Sequence, residues 1–196
     1  MAGIGLSDLG SLVGDTLRAP RETFARLSAW RLSVPVLSQA LLLVVVLSVL
    51  LAELSNLMVS YLHPPGVGVM LLSPMFFGAL QLALLVGMLF AILLVGRALG
   101  GHGDLAGSIL LVSWLQFIMV CVQLVQSAAL LLVPSLAWAI GVGGLVLFLW
   151  LLTNFIAELH GFTALGRVFA MILFTMLGVA LGLSFVLALF GVTVPA

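Results

Sequence analysis

The stretch LAGSILLVSWLQFIMVCVQLVQSAALLLV, residues 105–133, runs without a single Asp, Glu, Lys or Arg. A bilayer core about 30 Å thick needs about 20 predominantly apolar residues per helix, so this run is long enough to cross it. Outward from it, Gly100-Gly101-His102-Gly103-Asp104 makes a polar break on one side and Pro134-Ser135 a tight connection on the other. Four further runs of the same kind follow the same logic: roughly Val36 to Leu62, Met75 to Leu99, Leu136 to Glu158 and Leu165 to Val192. The first of these contains one acid, Glu53, and ends at the breaker His63-Pro64-Pro65-Gly66. The spacing predicts an all-α polytopic membrane protein. Residues 1–35 form an N-terminal cytoplasmic amphipathic or interfacial segment, and residues 36–196 a bundle of five transmembrane helices.

Composition agrees. Of 196 residues, 64% are hydrophobic and 6% charged, with mean hydropathy +1.44, whereas an ordinary soluble domain carries about 25% charged residues. Disorder is excluded because the chain is far too apolar to stay solvated. Six arginines and no lysine balance six carboxylates, so the basic surface a nucleic-acid partner would require is missing. Cys121 is the one cysteine, so no intrachain disulfide is possible. A cleaved secretion signal is not expected, because about 35 residues precede the first apolar run and no small-residue cleavage site follows a short apolar segment.

Arginine placement sets the orientation. Arg18, Arg21, Arg26 and Arg31 precede the first span, Arg97 lies at the break between the second and third, and Arg167 between the fourth and fifth. With five crossings these places share one face. The segments on the other face, 63–74, 133–135 and 192–196, hold no charged residue. The expected topology is therefore multi-pass, with the N-terminus cytoplasmic and the C-terminus periplasmic.

Within the first 35 residues, Leu6, Leu9, Val13 and Leu17 recur at helical spacing with Ser7, Asp8, Asp15 and Thr16 between them. Pro20 can open a second helix, in which Phe24 and Leu27 repeat the spacing beside Arg21, Glu22 and Arg26. Trp30, Arg31 and Pro35 suit the headgroup layer. Such a segment either binds lipid or a protein partner at the interface or acts as a strut that orients the first span.

Ionisable and amide groups inside a span are costly and mark candidate sites. Glu53, with Asn56 and Ser60 on its face, forms one polar strip; Gln116, Gln123 and Gln126 form a second, and Gln81 adds an amide. They can line a wet path through Glu53 or simply hydrogen-bond helices together. The inner half of the first span offers only Ser48 between Leu41 and Leu51, which argues against a continuous pore. Small residues supply close-packing faces: Ala79, Ala83, Gly87 and Ala91; Gly141, Gly143 and Gly144; Gly178 and Gly182. Contact within the chain is the first expectation for them, and a homo-oligomer or membrane-protein partner the second.

The inner ends of the spans gather the remaining chemistry: Arg97, His102 and Asp104 in one loop, Asn154, Glu158, His160 and Arg167 around the other. Asn154 and Glu158, four apart, should face one neighbour. Arg97 with Glu158, or Arg167 with Asp104, would pair at equal depth. A metal site built from His102, His160, Asp104 and Glu158 is a weak alternative, since the spacing matches no ligand motif. No catalytic, cofactor or metal site is expected: there is no Ser-His-Asp set, and the Gly-Gly-His-Gly run lacks the preceding strand of a phosphate loop.

Taken together, Arg18-Ala19-Pro20-Arg21-Glu22-Thr23-Phe24, five spans, the glycine-rich loop entering the third, and Trp150 through His160-Gly161-Phe162 ahead of Arg167 resemble the bacterial branch of the Yip1 family. The resemblance implies a five-span protein of the bacterial inner membrane; eukaryotic members are associated with Rab GTPases, membrane traffic and membrane shape. The leading expectation is a non-enzymatic protein acting through lipid or membrane-partner contacts. The runner-up is a small transporter or lipid-translocating protein using Glu53 and the Gln116/Gln123 strip, in which Glu53→Gln would abolish flux.

Overall fold

The computed structural model describes residues 6–62 and 73–189. Among them are seven helices and no strand: α1 (Leu6–Arg18), α2 (Pro20–Ser28), α3 (Val34–Leu62), α4 (Pro74–Ala98), α5 (Leu105–Leu132), α6 (Pro134–His160) and α7 (Leu165–Leu189). Helices α3 to α7 are each long and apolar enough to cross a membrane. Residue chemistry at the breaks explains where these helices start and stop. Pro74 and Pro134 occupy the first turns of α4 and α6, where a missing N–H costs nothing. Ser73 caps α4 by accepting from Phe76 N–H, and Asp104 caps α5 by accepting from Gly107 N–H at 2.8 Å. Helix α6 continues past Glu158 to His160 because Gly161, at φ 74°, supplies the left-handed terminator. The breaker at His63-Pro64-Pro65-Gly66 and the last residues expected in the fifth span lie outside the described residues.

Helix α5 is the axis of the bundle. Half of its most apolar window is buried, against 11% for α7, which leans mainly on α6. Helices α3 and α6 flank α5, α4 touches α3, α5 and α6, and the short α1–α2 pair lies against the ends of α5 and α6. Leu111, Val112, Leu115 and Ile118 of α5 meet Leu151, Phe155 and Ile156 of α6 and Leu41 and Val45 of α3 in one core. Many remaining apolar side chains point outward, among them Leu84, Leu94, Val146, Phe174 and Leu181. That is the arrangement of a protein whose solvent is hydrocarbon.

The small-residue faces divide. A Cβ at Gly144 would touch Val122 and one at Gly141 would crowd the Gln126 amide, so α5 and α6 do approach closely there. Added Cβ atoms at Gly87, Gly143, Gly178 and Gly182 would meet nothing within 4 Å. Contact within the chain therefore accounts for Gly141 and Gly144 and not for the faces on α4 and α7, which the described residues leave open.

Candidate functional site at the arginine-bearing end

The break between α2 and α3, the loop between α4 and α5, and the turn between α6 and α7 meet at one end of the bundle, together with the six arginines. Three chemically distinct features lie there.

The first is the seat of α1 and α2. Thr16 and Phe24 are almost wholly buried. Thr16 Oγ1 donates to Leu12 carbonyl at 2.7 Å and accepts from Trp114 Nε1 at 3.1 Å. The buried face of α1 thus runs through Leu9, Leu12, Val13 and Thr16, while Leu17, expected on the apolar stripe, is 45% exposed. The indole donor explains the correction: it satisfies the Thr16 hydroxyl inside the core, where an unpaired one would be costly. Helix α2 is held by residues in register with α6. Phe24 stacks on Phe155 with ring centroids 5.2 Å apart, and one turn away Arg21 Nε meets Glu158 Oε2 at 3.2 Å. Arg21 also donates to Phe162 carbonyl. Glu158 is therefore paired with Arg21 rather than Arg97, because the Phe24 stack delivers Arg21 to it first.

The second feature is a buried histidine wrapped in glycine. His160 is 1% exposed. Its Nδ1 accepts from Gly103 N–H at 3.1 Å, so the ring is neutral with its proton on Nε2. Its carbonyl accepts from His102 N–H, and its ring stacks on Phe162. Gly96, Gly101 and Gly103 all approach so closely that a Cβ on any of them would overlap the imidazole; at Gly103 the added atom would lie 2.5 Å from Cε1. Nε2 is buried against Gly96 and interacts with the Ile92 backbone one turn earlier in α4. Arg97 Nε donates to Gly103 carbonyl at 2.9 Å and closes the loop over the ring. The glycine-rich loop is thus a histidine cradle.

This accounts for several of the expected site residues. Arg97 and His102 are exposed at the loop surface, Arg167 is exposed, and Asp104 serves as the α5 cap rather than as a partner of Arg167. Asn154 is buried and donates to Trp150 carbonyl of its own helix, so it does not share a neighbour with Glu158. His160 Nδ1 is taken up by Gly103, His102 points outward, and no group of three metal-ligating side chains converges among the described residues.

The third feature is a cavity of about 520 Å³. Its floor is the buried Phe24 and Leu37; its mouth carries the exposed Ser28, Arg31, Leu32 and Asp104, and Glu158 forms part of the wall. Arg31 holds φ at 46°, the one positive φ at a non-glycine position among the described residues. Its N–H donates to Ser28 carbonyl as the chain turns from α2 into α3. A side chain in that region costs about 1–2 kcal/mol, so a guanidinium is kept at the mouth where Gly or Asn would sit without strain. Trp30, 45% exposed, stands beside it.

Inside the spans, the amides act between helices. Gln81 Nε2 donates to Ser48 Oγ at 2.6 Å, and Gln123 Nε2 donates to Ser48 carbonyl at 3.3 Å, so α3, α4 and α5 meet at Ser48. Gln126 donates to Ala137 carbonyl of α6, and Ser55 bonds Ser127 across α3 and α5. Glu53 and Gln116 are half-buried and Asn56 exposed; their side chains make no hydrogen bond among the described residues. Ser60 bonds back to the carbonyls of Asn56 and Leu57. The structure thus joins Gln81 to Gln123 and leaves Glu53 and Asn56 apart from them. Ser48, which joins three helices, and Arg31, at the cavity mouth, were visible in the sequence only as the one polar residue of an apolar run and as a residue suited to the headgroup layer, not as members of a site. A serine alone in a long apolar run is the only signal that pointed to the first.

Five spanning helices with a structured arginine-bearing end define a multi-pass α-helical membrane protein. The chain matches the family model described as Yip1 domain over residues 14–188, from within α1 to within α7. It belongs to the Yip1 family. No curated protein and no solved structure matches it.

Proposed function

We propose that this is a non-enzymatic protein of the bacterial inner membrane that acts by contact with lipid, a Yip1-like role in membrane organisation, with its arginine-bearing end facing the cytoplasm. The observation that carries this reading is the cavity: an apolar floor and a charged mouth at the level where the spans end, which is where headgroups meet acyl chains. The positive-inside bias of all six arginines supports the orientation. The docked α2 supports an interfacial role for residues 1–35, because its Phe24 and Ser28 line one side of the cavity and the chain beyond it carries Trp30 beside Arg31. Engagement of Gln81, Gln123 and Gln126 between helices supports a bundle-holding role for the amides rather than a transport path.

The test is lipid retention after purification in mild detergent. Wild-type protein is expected to keep bound phospholipid, and Ala106→Phe, which fills the cavity from the first turn of α5, is expected to lose it. Equal phospholipid in the two proteins, or none in either, would overturn the reading. Co-isolation of a second polypeptide in place of lipid would point to a membrane-protein partner and likewise overturn it.

A further inference from the structure

The cavity carries charges of both signs. Asp104 and Glu158 bring carboxylates and Arg31 a guanidinium to the same space. Each carboxylate uses one oxygen elsewhere, Asp104 Oδ1 on Gly107 N–H and Glu158 Oε2 on Arg21. Among the described residues the second oxygen of each has no hydrogen-bond partner, and neither has the Arg31 guanidinium. An anionic headgroup would meet two carboxylates at close range, and a simple cationic amphiphile would leave the Arg31 guanidinium unmatched. A group with both charges matches both.

The sign of the match is specific. A phosphate suits the planar donor fork of arginine. A primary ammonium has three N–H donors to place on the remaining carboxylate oxygens, whereas a trimethylated ammonium has none. Leu32, Leu37 and Leu110 continue the wall as apolar surface for acyl chains. Arg31 presents its guanidinium at the mouth from a backbone at φ 46°, a conformation that costs a non-glycine residue energy.

From this geometry we infer that the cavity seats the headgroup of a zwitterionic phospholipid with a primary ammonium, its phosphate on Arg31 and its ammonium between Asp104 and Glu158. The assignment rests on the lipid-contact reading above and adds a headgroup selectivity to it.

The experiment is native mass spectrometry of the full chain taken from vesicles of equimolar phosphatidylethanolamine, phosphatidylcholine and phosphatidylglycerol. Two variants accompany it. Asp104→Asn removes the charge but keeps a strong helix cap, and Arg31→Gly removes the guanidinium and relieves the backbone. The wild type is expected to retain phosphatidylethanolamine about tenfold over either competitor, as one good charge-assisted contact would give. Asp104→Asn is expected to lose most of that preference, and Arg31→Gly, which removes the partner of a phosphate common to all three lipids, to lower retention of all three together, with neither melting below the wild type. Equal retention of the three lipids, an undiminished preference in Asp104→Asn, or undiminished total retention in Arg31→Gly overturns the headgroup assignment and leaves the lipid-contact reading standing; retention of none by the wild type overturns both. Glycerophosphoethanolamine, the same headgroup without acyl chains, is expected not to displace the bound lipid at millimolar concentration. Displacement by it would overturn the assignment to a lipid in favour of a soluble zwitterion.

Discussion

Gly96→Ala sets two effects of opposite sign against each other. Gly96 lies in α4, where alanine is the better helix former by about 1 kcal/mol. Its added Cβ, however, would lie 2.7 Å from His160 Cδ2 and closer still to Nε2 and Cε1. Carbon atoms pack best at about 3.5–4.0 Å, so the ring would have to retreat by about 1 Å. It has nowhere to go, because Gly101 and Gly103 touch it on the other side, Phe162 stacks on it, and Gly103 N–H holds Nδ1. Overpacking of this kind costs about 1–3 kcal/mol, and losing the Gly103 bond adds about 1 kcal/mol. Packing wins, with a net loss of about 1–3 kcal/mol after the helix-propensity gain. For a chain of this length that is a fall of about 3–10 °C in Tm. The assay is thermal unfolding in detergent followed by tryptophan fluorescence, with Gly87→Ala as the control on the same helix, where a Cβ meets nothing and the melt should hold or rise. In a His160→Ala background the Gly96→Ala penalty should vanish. A Gly96→Ala protein that melts at or above the wild type would refute the cradle.

Three further expectations follow from particular contacts. Ser48→Ala removes the hydroxyl shared with Gln81 and should cost about 0.6–2 kcal/mol in the same melt, while Ser60→Ala, on an exposed serine that bonds only its own helix, should cost almost nothing. Trp114→Phe deletes the donor to Thr16 and should cost about 1 kcal/mol, with faster tryptic cleavage after Arg18 as the local readout of α1 lifting off. Reversing the Arg21–Glu158 pair one residue at a time should weaken α2 docking by about 0.2–1 kcal/mol, with the double reversal recovering part of it and high salt shrinking every difference.

Helix number and breaks were legible because a membrane span announces itself by length and by the absence of charge, and because proline and glycine mark where it stops. The breaks at Pro74, Asp104, Pro134 and Gly161 are all backbone chemistry readable from residue type. Partners across the fold were not legible. Equal depth suggested Arg97 for Glu158, but pairing is decided by which helix arrives, and the stack of Phe24 on Phe155 brings Arg21. In the same way periodicity put Leu17 on the inner face of α1 and Thr16 outside it, since no local rule anticipates an indole donor from α5. The glycines of residues 100–103 read only as part of a polar break between spans; the position of His160, reached across the fold, shows that Gly96, Gly101 and Gly103 are constrained by one ring. Gln81 and Gln123 were visible as candidates, while their common partner Ser48 needed three helices to be placed together.

The central claim is that five crossings put every arginine on one face of the bilayer. In a Cys121→Ala background, single cysteines at Ser28 and Thr163 report the arginine-bearing end, and one at Ser135 the opposite end, all at exposed positions. A membrane-impermeant maleimide added to sealed, oriented vesicles is expected to label Ser135→Cys from one side and both Ser28→Cys and Thr163→Cys from the other. Labelling of Ser135→Cys and Thr163→Cys from the same side would contradict the account.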